Sequence, residues 1–310
     1  MKEYSIIICT YNGSKNIGKV LDSILKIDSL NLLLDKILIV NNASTDNVGE
    51  IIDEYIKKDP KLIFTEYEPK QGLTYARMHF KSLNTKWIIF LDDDNIVDSQ
   101  WLVNMDKFLK FNLNVGVANS ACVAVPGDGF SSLDLDILYA VCPAIACTHS
   151  SIEDYKNKKK TLIKFPFGAG LFVLREPLID YLNNGWTTNI GRQGDNLLSG
   201  EDGEIANYVI AKGYKYLLNC DAYILHLIPH KRIEKDYVEK LSYGLSVGYV
   251  NALKKKKKYR ILKRVIIIRN LFLIIIFPIK QMFTNNSRKR IVNKIEIESR
   301  KTINKLLKSK

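Results

Sequence analysis

The sequence predicts an α/β protein in which a mostly parallel central sheet is flanked by helices and followed by a basic helical C-terminal extension. Three observations predict it. Over the first hundred residues, short apolar runs rich in Ile and Val alternate with segments whose apolar residues recur at helical spacing, the pattern of strands joined by crossover helices. The run Trp87-Ile88-Ile89-Phe90-Leu91 has the length and composition of a strand buried on both faces, and it ends in Asp92-Asp93-Asp94-Asn95. With 310 residues, 46% of them apolar, the chain can bury a large core.

Taken in order, Tyr4 to Cys9 reads as the first strand. It leads through the turn Thr10-Tyr11-Asn12-Gly13-Ser14 into a helix from about Lys15 to Lys26, with Ile17, Val20, Leu21, Ile24 and Leu25 on one face. Ile37 to Val40 is the second strand and Asn41-Asn42-Ala43-Ser44-Thr45-Asp46 the loop that ends it, with Asp46 placed to cap a helix from about Val48 to Lys57. Lys61 to Tyr67 is the third strand. The fourth, Trp87 to Leu91, delivers its three carboxylates to the edge where open α/β sheets hold their ligands. Adjacent carboxylates repel one another, and a hard divalent metal holding a diphosphate relieves them. The competing reading makes them a solvated loop, with Asp98 or Ser99 capping a helix that begins near Trp101. A cap needs one carboxylate and not three.

Further along, Gly168-Ala169-Gly170 precedes a strand at Leu171 to Leu174 and fits either a close backbone approach or a tight turn. Ser199-Gly200-Glu201-Asp202 opens a helix that carries Ile205, Tyr208 and Val209 and ends near Gly213, so Ser199 or Asp202 has the place of its N-terminal cap. His226 ends the apolar run Ala222 to Leu225, where a lone histidine serves either structure or a metal.

The net charge of +13 suggests nucleic acid or anionic membrane, but it is unevenly placed. Of the 46 Lys and Arg, 19 lie after Leu253 against only Glu296 and Glu298, a balance of +17 that leaves −4 for residues 1–253. A slightly acidic body with its cations confined to a tail argues against nucleic acid as partner. No G-x-G-x-x-G follows the first strand and no G-x-x-x-x-G-K-[ST] occurs, so dinucleotide oxidoreductases and P-loop NTPases lose support. Five cysteines without a C-x-x-C pair read as buried reduced thiols of a cytosolic protein, and the first residues are too short for a secretory signal.

Ile7-Ile8-Cys9-Thr10-Tyr11-Asn12, Val40 to Asp46, Gly72 to Arg77, Leu91-Asp92-Asp93-Asp94 and Gly200-Glu201-Asp202 together resemble the ordered signatures of family 2 glycosyltransferases, inverting enzymes of the GT-A fold. The resemblance spans about 230 residues from the N-terminus. It implies a donor pocket in which Thr10, Tyr11 and Asn12 meet the nucleobase, Tyr11 by stacking. The second loop usually brings an acidic residue to the uracil N3–H. Here Asn42 stands in its place, which keeps an acceptor oxygen but leaves the preference for a UDP-sugar open. Arg77 is implied near the diphosphate or orienting the aspartates, since its planar fork pairs with either anion. The resemblance implies that Asp92 and Asp94 flank the donor with Asp93 a further donor contact, that Asp94 is the direct ligand of Mn²⁺ or Mg²⁺ with Asp92 nearer the ribose or a metal water, and that His226 completes the metal shell. The resemblance makes Asp202 the general base, with Glu201 beside it, and attack from the face opposite the leaving diphosphate inverts the anomeric carbon. Gly168, Gly170, Trp186 and Arg192, in the loop Gly191 to Gly194, are the implied acceptor contacts.

These readings divide the chain at residue 253. Residues 1–100 form the nucleotide-sugar half of a catalytic domain, residues 101–253 its acceptor half with the base, and residues 254–310 a tail. In that tail Val265 to Ile279 is apolar but interrupted by Arg269 and broken at Pro278, short of the roughly 20 residues that span a bilayer. The expected role is peripheral contact with the anionic inner face of the cell membrane, the alternative a helix packed on the domain. Processive synthases with several spanning helices are disfavoured, since neither a long apolar segment nor Q-x-x-R-W occurs. The expected function is transfer of one sugar from a nucleotide sugar to a lipid-linked or polysaccharide acceptor in cell-surface glycan synthesis. The alternatives are a nucleotidyltransferase and a non-catalytic nucleotide-sugar-binding protein, and both lack a use for the Glu201-Asp202 pair.

Overall fold

The computed structural model describes residues 2–309 except 164, 189–190, 194–196, 256–257 and 283–286, with the backbone alone described at 272, 275–282 and 287–289. Two compact units are formed, one from residues 1–125, 146–189 and 201–227, the other from residues 126–145, 190–200 and 228–310.

The first unit carries an eight-stranded sheet. Its strands are β1 (Tyr4–Thr10), β2 (Leu34–Asn41), β3 (Ile63–Tyr67), β4 (Trp87–Asp92), β5 (Asn95–Val97), β6 (Val115–Pro126), β7 (Leu171–Leu174) and β8 (Lys215–Ile228). They lie in the order β3-β2-β1-β4-β7-β6-β8-β5. The first four are parallel neighbours, as the alternation of strand and helix predicts. Beyond β4 the sheet is mixed: β7 runs antiparallel to β4, β6 to β7 and β5 to β8. Strand order reverses at β1, with β2 and β3 on one side and β4 on the other. That reversal makes the carboxyl ends of β1 and β4 the switch point at which open α/β sheets hold their ligands.

Continuous apolar runs make these strands because both faces are covered. Ile6 to Ile8, Ile37 to Val40 and Ile88 to Leu91 are all buried. One face joins Ile7, Leu38, Ile88, Phe90 and Val173 to Phe80, Tyr181, Ile205 and Val209 in a single cluster. The helix predicted from Lys15 spans Ile17–Leu25 and buries Ile17, Val20, Leu21 and Ile24, the stripe its spacing implied. Cys122, Cys142 and Cys147 are buried, Cys9 is half-buried and Cys220 is exposed, because the half-covered β8 turns that thiol outward.

The second unit differs from the tail expected after Leu253. Helix Lys235–Lys254 supplies Val250 and Leu253 to a cluster with Ile266 and Leu307, so helices Tyr259–Met282 and Ser287–Lys308 share its core. Helix Ser132–Val141 packs against Ser287–Lys308 as well. Pro278 does not break the first of these helices, which continues to Met282. Proline fixes a φ compatible with the helix and forfeits one ladder bond, a loss that neighbouring turns can carry. A chain ended after Leu253 is therefore predicted to melt earlier, since each uncovered Leu or Val forfeits about 1.5–3 kcal/mol. Thermal unfolding checks this, and an unchanged midpoint would show that the tail packs on nothing. Among the described residues no helix is long and apolar enough to cross a membrane.

Candidate functional site

Register sets the site. Thr10 of β1 pairs with Asn41 of β2, and Cys9 with Asp92 of β4, so the loops after the three strands leave the sheet at one level. Asn12 sits at φ 57°, and its side-chain oxygen accepts from Thr45 N at 2.8 Å while its own N–H donates to Ser44 Oγ at 3.0 Å. The first two loops are thereby stapled together. Tyr11 stays 45% exposed beside them, an open aromatic face.

Asn42 does not face outward. Its oxygen accepts from Gly72 N at 2.8 Å, and its nitrogen donates to the carbonyls of Glu68 and Lys70 at 3.1 and 2.8 Å. Buried and committed in this way, it fixes the segment Glu68 to Gly72, and its expected place against a base edge is not where the structure puts its amide.

The aspartate turn joins β4 to β5 and is braced by β1 and β8. Thr10 Oγ1 donates to Asp93 Oδ2 at 2.6 Å, and a Cβ at Gly13 would overlap both of those groups, a reason for glycine that its turn position alone did not reveal. The helix Trp101–Phe111 that follows has no side-chain cap, and Asp98 Oδ1 instead accepts from Gln100 N at 2.9 Å in the turn before it. Asp94 and Asn95 are buried, and Asn95 Nδ2 donates to Asp94 Oδ1 at 3.1 Å. Asn95 pairs with His226 across β5 and β8, and Leu227 N donates to Asp94 O at 3.0 Å, so backbone bonds carry His226 to the turn.

His226 is buried, with Nε2 3.3 Å from Asp94 Oδ2 but not aligned for a hydrogen bond. Its Nδ1 lies 3.5 Å from Cys147 Sγ. Burial would lower the pKa of this imidazole, and the Asp94 carboxylate with the Cys147 sulfur outweighs it, holding the ring above its ordinary value. A carboxylate oxygen and an imidazole nitrogen about 3 Å apart match two neighbouring ligands of one octahedral cation. A mixed oxygen and nitrogen set fits Mn²⁺ better than Mg²⁺.

Arg77 joins this turn to the second half of the chain. The side chain is 2% exposed, its guanidinium contacts Asp202, and it lies 3.7 Å from Glu201 and 4.0 Å from Asp92. Burial disfavours its charge, yet Asp202, Glu201 and Asp92 together raise its pKa, so it remains a cation. Glu201 and Asp202 open helix Glu201–Ala211, where acidic side chains also complement the helix dipole. Ser199, the other expected cap, instead donates to Leu197 O. Glu204 ties that helix down by accepting from Thr187 Oγ1 at 2.7 Å and Tyr181 OH at 3.2 Å. Of the expected pair, Asp202 keeps 23% of its side chain open. Glu201 is buried.

The two glycines have different reasons. A Cβ at Gly168 would stand 2.7 Å from Arg77 Nη2 and 2.8 Å from both Asp202 carboxylate oxygens, so this backbone approaches the ion pair too closely for a side chain. Gly170 has φ +62° and faces Ile224, Ser120 and Trp101, which makes it the tight turn before β7. Asn119 holds both, its amide nitrogen donating to the carbonyls of Phe167, Ala169 and Gly170 at 3.0 to 3.3 Å. A buried asparagine within the apolar run of β6 was its one signal in the sequence. Gly168→Ala is predicted to displace Arg77 or Asp202 and lower turnover by about 10–100-fold with little change in melting. Parallel activity and melting measurements check it, and full activity would mean that neither side chain needs its position.

Trp186, expected at the acceptor, packs its ring on Phe80 and Tyr181 with centroids 6.0 and 5.3 Å away, and its buried Nε1 has no hydrogen-bond partner among the described residues. The ring serves the core, because the aromatic cluster over β4 offers it more apolar contact than a polar cleft. Arg192 is half-buried and belongs to the second unit, while Gly194 falls outside the described residues.

The β1/β4 switch point, an aspartate turn on one side and a Glu-Asp helix start on the other define the GT-A fold of nucleotide-diphospho-sugar transferases. Residues 5–181 match the model of glycosyl transferase family 2, and the chain belongs to that family. Glycosyltransferase GlyA of Streptococcus pneumoniae serotype 4 is 27% identical over 117 residues, 37% of this chain and 16% of GlyA. Poly-beta-1,6-N-acetyl-D-glucosamine synthase of Staphylococcus epidermidis is 30% identical over 113 residues, 36% of this chain and 26% of the synthase. The match thus spans about a quarter or less of either relative. Among solved structures, the mannosyltransferase PcManGT from Pyrobaculum calidifontis, in complex with GDP-Man and Mn²⁺, has a TM-score of 0.64 at 17% identity, covering 99% of this chain and 88% of that one. TarS 1-349 of S. aureus, in complex with UDP-GlcNAc, has a TM-score of 0.51 at 17% identity, covering 80% and 67%.

Proposed function

We propose that the chain is an inverting, metal-dependent glycosyltransferase that moves one sugar from a nucleotide sugar to a lipid-linked or polysaccharide acceptor in cell-surface glycan synthesis. The observation that carries this reading is Arg77, whose one guanidinium reaches both Asp92 at the donor turn and Asp202 at the helix start. Tyr11 stacks on the base and Thr10 holds Asp93 in place. Asp94 and His226 would hold Mn²⁺, with Asp92 beside the ribose. The metal, when bound, neutralises charge on the departing nucleoside diphosphate. Asp202 accepts the acceptor hydroxyl proton as that oxygen attacks the anomeric carbon from the face opposite the diphosphate. Glu201 shares Arg77 with it and keeps the carboxylate turned toward the cleft. Gly168 lets its backbone pack against the pair and so holds Asp202 in place beside the acceptor.

The solved neighbours hold nucleotide sugars, one of them with Mn²⁺, which supports the donor class and the ion. A UDP-sugar is the favoured donor by family pattern, with base discrimination resting on Tyr11 and loop backbone rather than on Asn42. A nucleotidyltransferase would use the aspartate turn but has no task for Asp202. Acceptors of this kind place the protein at the cytoplasmic face of the membrane, in peripheral contact with anionic lipid. Incubation with a panel of nucleotide sugars and Mn²⁺ tests the reading: one donor should release its nucleoside diphosphate slowly, and chelation should stop the release. No release from any donor, or release that ignores chelator, would overturn it.

Removing the cation that joins the two halves should also be costly. Arg77→Leu is predicted to lose about 3 kcal/mol of stability, because buried Glu201 and the two aspartates are left without their cation. Denaturant unfolding measures it, and a loss below about 1 kcal/mol would fit a surface pair instead.

A further inference from the structure

Helix Tyr259–Met282 shows two faces of different chemistry. One is packed. Ile266 lies in the cluster with Val250, Leu253 and Leu307, and one turn on, Asn270 donates to Asn304 Oδ1 at 3.1 Å and accepts from Arg300 Nη1 at 3.2 Å. The other face is bare, with Ile261, Val265 and Ile268 exposed by 65%, 56% and 68%.

Their i, i+4, i+7 spacing sets these three side chains in one line along the helix. At 100° per residue, Arg260 and Arg264 border the line on one side and Arg269 on the other, with Lys258 just before the first turn. All four are exposed. Single exposed apolar residues are ordinary, but an aligned row of β-branched side chains with Arg260 and Arg264 on one side and Arg269 on the other is a surface with a matching partner. A second protein would have to offer an apolar groove edged with carboxylates. An anionic bilayer offers both chemistries over any area, acyl chain to the isoleucines and phosphate to the arginines, whose aliphatic stems let their heads reach outward. The tail balance of +17 adds long-range attraction of the same sign. Because the opposite face of the same helix, with Ile266 and Asn270, is already packed on its own unit, the bare face meets a lipid surface lengthwise.

We infer that this face of helix Tyr259–Met282 seats in the plane of an anionic lipid interface, with Ile261, Val265 and Ile268 at the acyl boundary and Arg260, Arg264 and Arg269 at the phosphates. The inference specifies the membrane contact of the proposed function and rests on it.

The test uses the full chain, sedimented with vesicles of phosphatidylcholine alone and of phosphatidylcholine with about one third phosphatidylglycerol. Binding is expected to the second only. Ile261→Asp/Ile268→Asp should weaken it by about tenfold or more, since the row no longer inserts and now repels the lipid. Arg264→Gln/Arg269→Gln should weaken it by about fivefold for each charge removed and flatten its salt dependence. The altered residues are exposed, so near-UV circular dichroism and Mn²⁺-dependent donor hydrolysis should stay as in the parent. Retained hydrolysis separates failure of this face from failure of the glycosyltransferase reading. Equal vesicle binding by both variants, no binding by the parent, or an isoleucine variant that turns a dimer into a monomer would overturn the inference, the last by assigning the face to a second copy of the chain.

Discussion

Asp202→Asn should lower donor turnover by about 10²–10⁴-fold while leaving nucleoside diphosphate affinity unchanged. The substitution keeps the shape and an acceptor oxygen toward Arg77, which also retains Glu201 and Asp92, so the fold is held. What is lost is the lone carboxylate able to take a proton at the open end of that pair. Slow hydrolysis of the donor, with water in place of the acceptor, reports the same base and needs no acceptor in hand. A variant that hydrolyses at the parent rate would reduce Asp202 to a helix-dipole partner.

Asp94→Ala should reduce Mn²⁺-dependent affinity for nucleoside diphosphate to its metal-free level, a loss of at least about 100-fold where the metal carries most of the binding. Asp94 is buried, lies against His226 and is held by Asn95 and by the backbone of β8. Its removal leaves the imidazole without its counter-charge and the diphosphate without compensation. Calorimetric titration with and without Mn²⁺ reads the effect directly. Unchanged affinity would take the metal away from this turn.

The parallel half of the sheet was legible because each of its strands is covered on both faces and writes an unbroken apolar run, with a stripe of period 3.6 between runs. The aspartate turn was legible for a different reason, since three adjacent carboxylates have no ordinary structural use. The antiparallel half was less so. β8 is long and only partly covered, β6 is buried along most of its length but interrupted by polar residues, and Asn119 and Asn219 sit at buried places that pattern alone cannot separate from loop. Roles that depend on what a side chain faces were the hardest to read. Asn42 and Trp186 stand where family motifs place ligand contacts, yet one is turned into Glu68 to Gly72 and the other into the core. Gly13 and Gly168 carry no signal beyond being glycine, and only the atoms around them show why a Cβ is excluded. The tail misled through its charge: a basic, interrupted apolar run looks detachable until Ile266 and Leu307 are seen to close a core with Val250 and Leu253.

The proposed pairing of a metal-held diphosphate on one face with a base on the other predicts the stereochemistry of every turnover, including the slow one with water. With the hydrolysed donor identified, proton NMR of the freed sugar in the first minutes, before mutarotation equilibrates it, distinguishes the two faces of attack. An α-linked donor should yield the β anomer first, and the signal should be absent with Asp202→Asn. The α anomer appearing first would place the nucleophile on the diphosphate side and contradict the arrangement of Asp94, His226, Arg77 and Asp202 set out above.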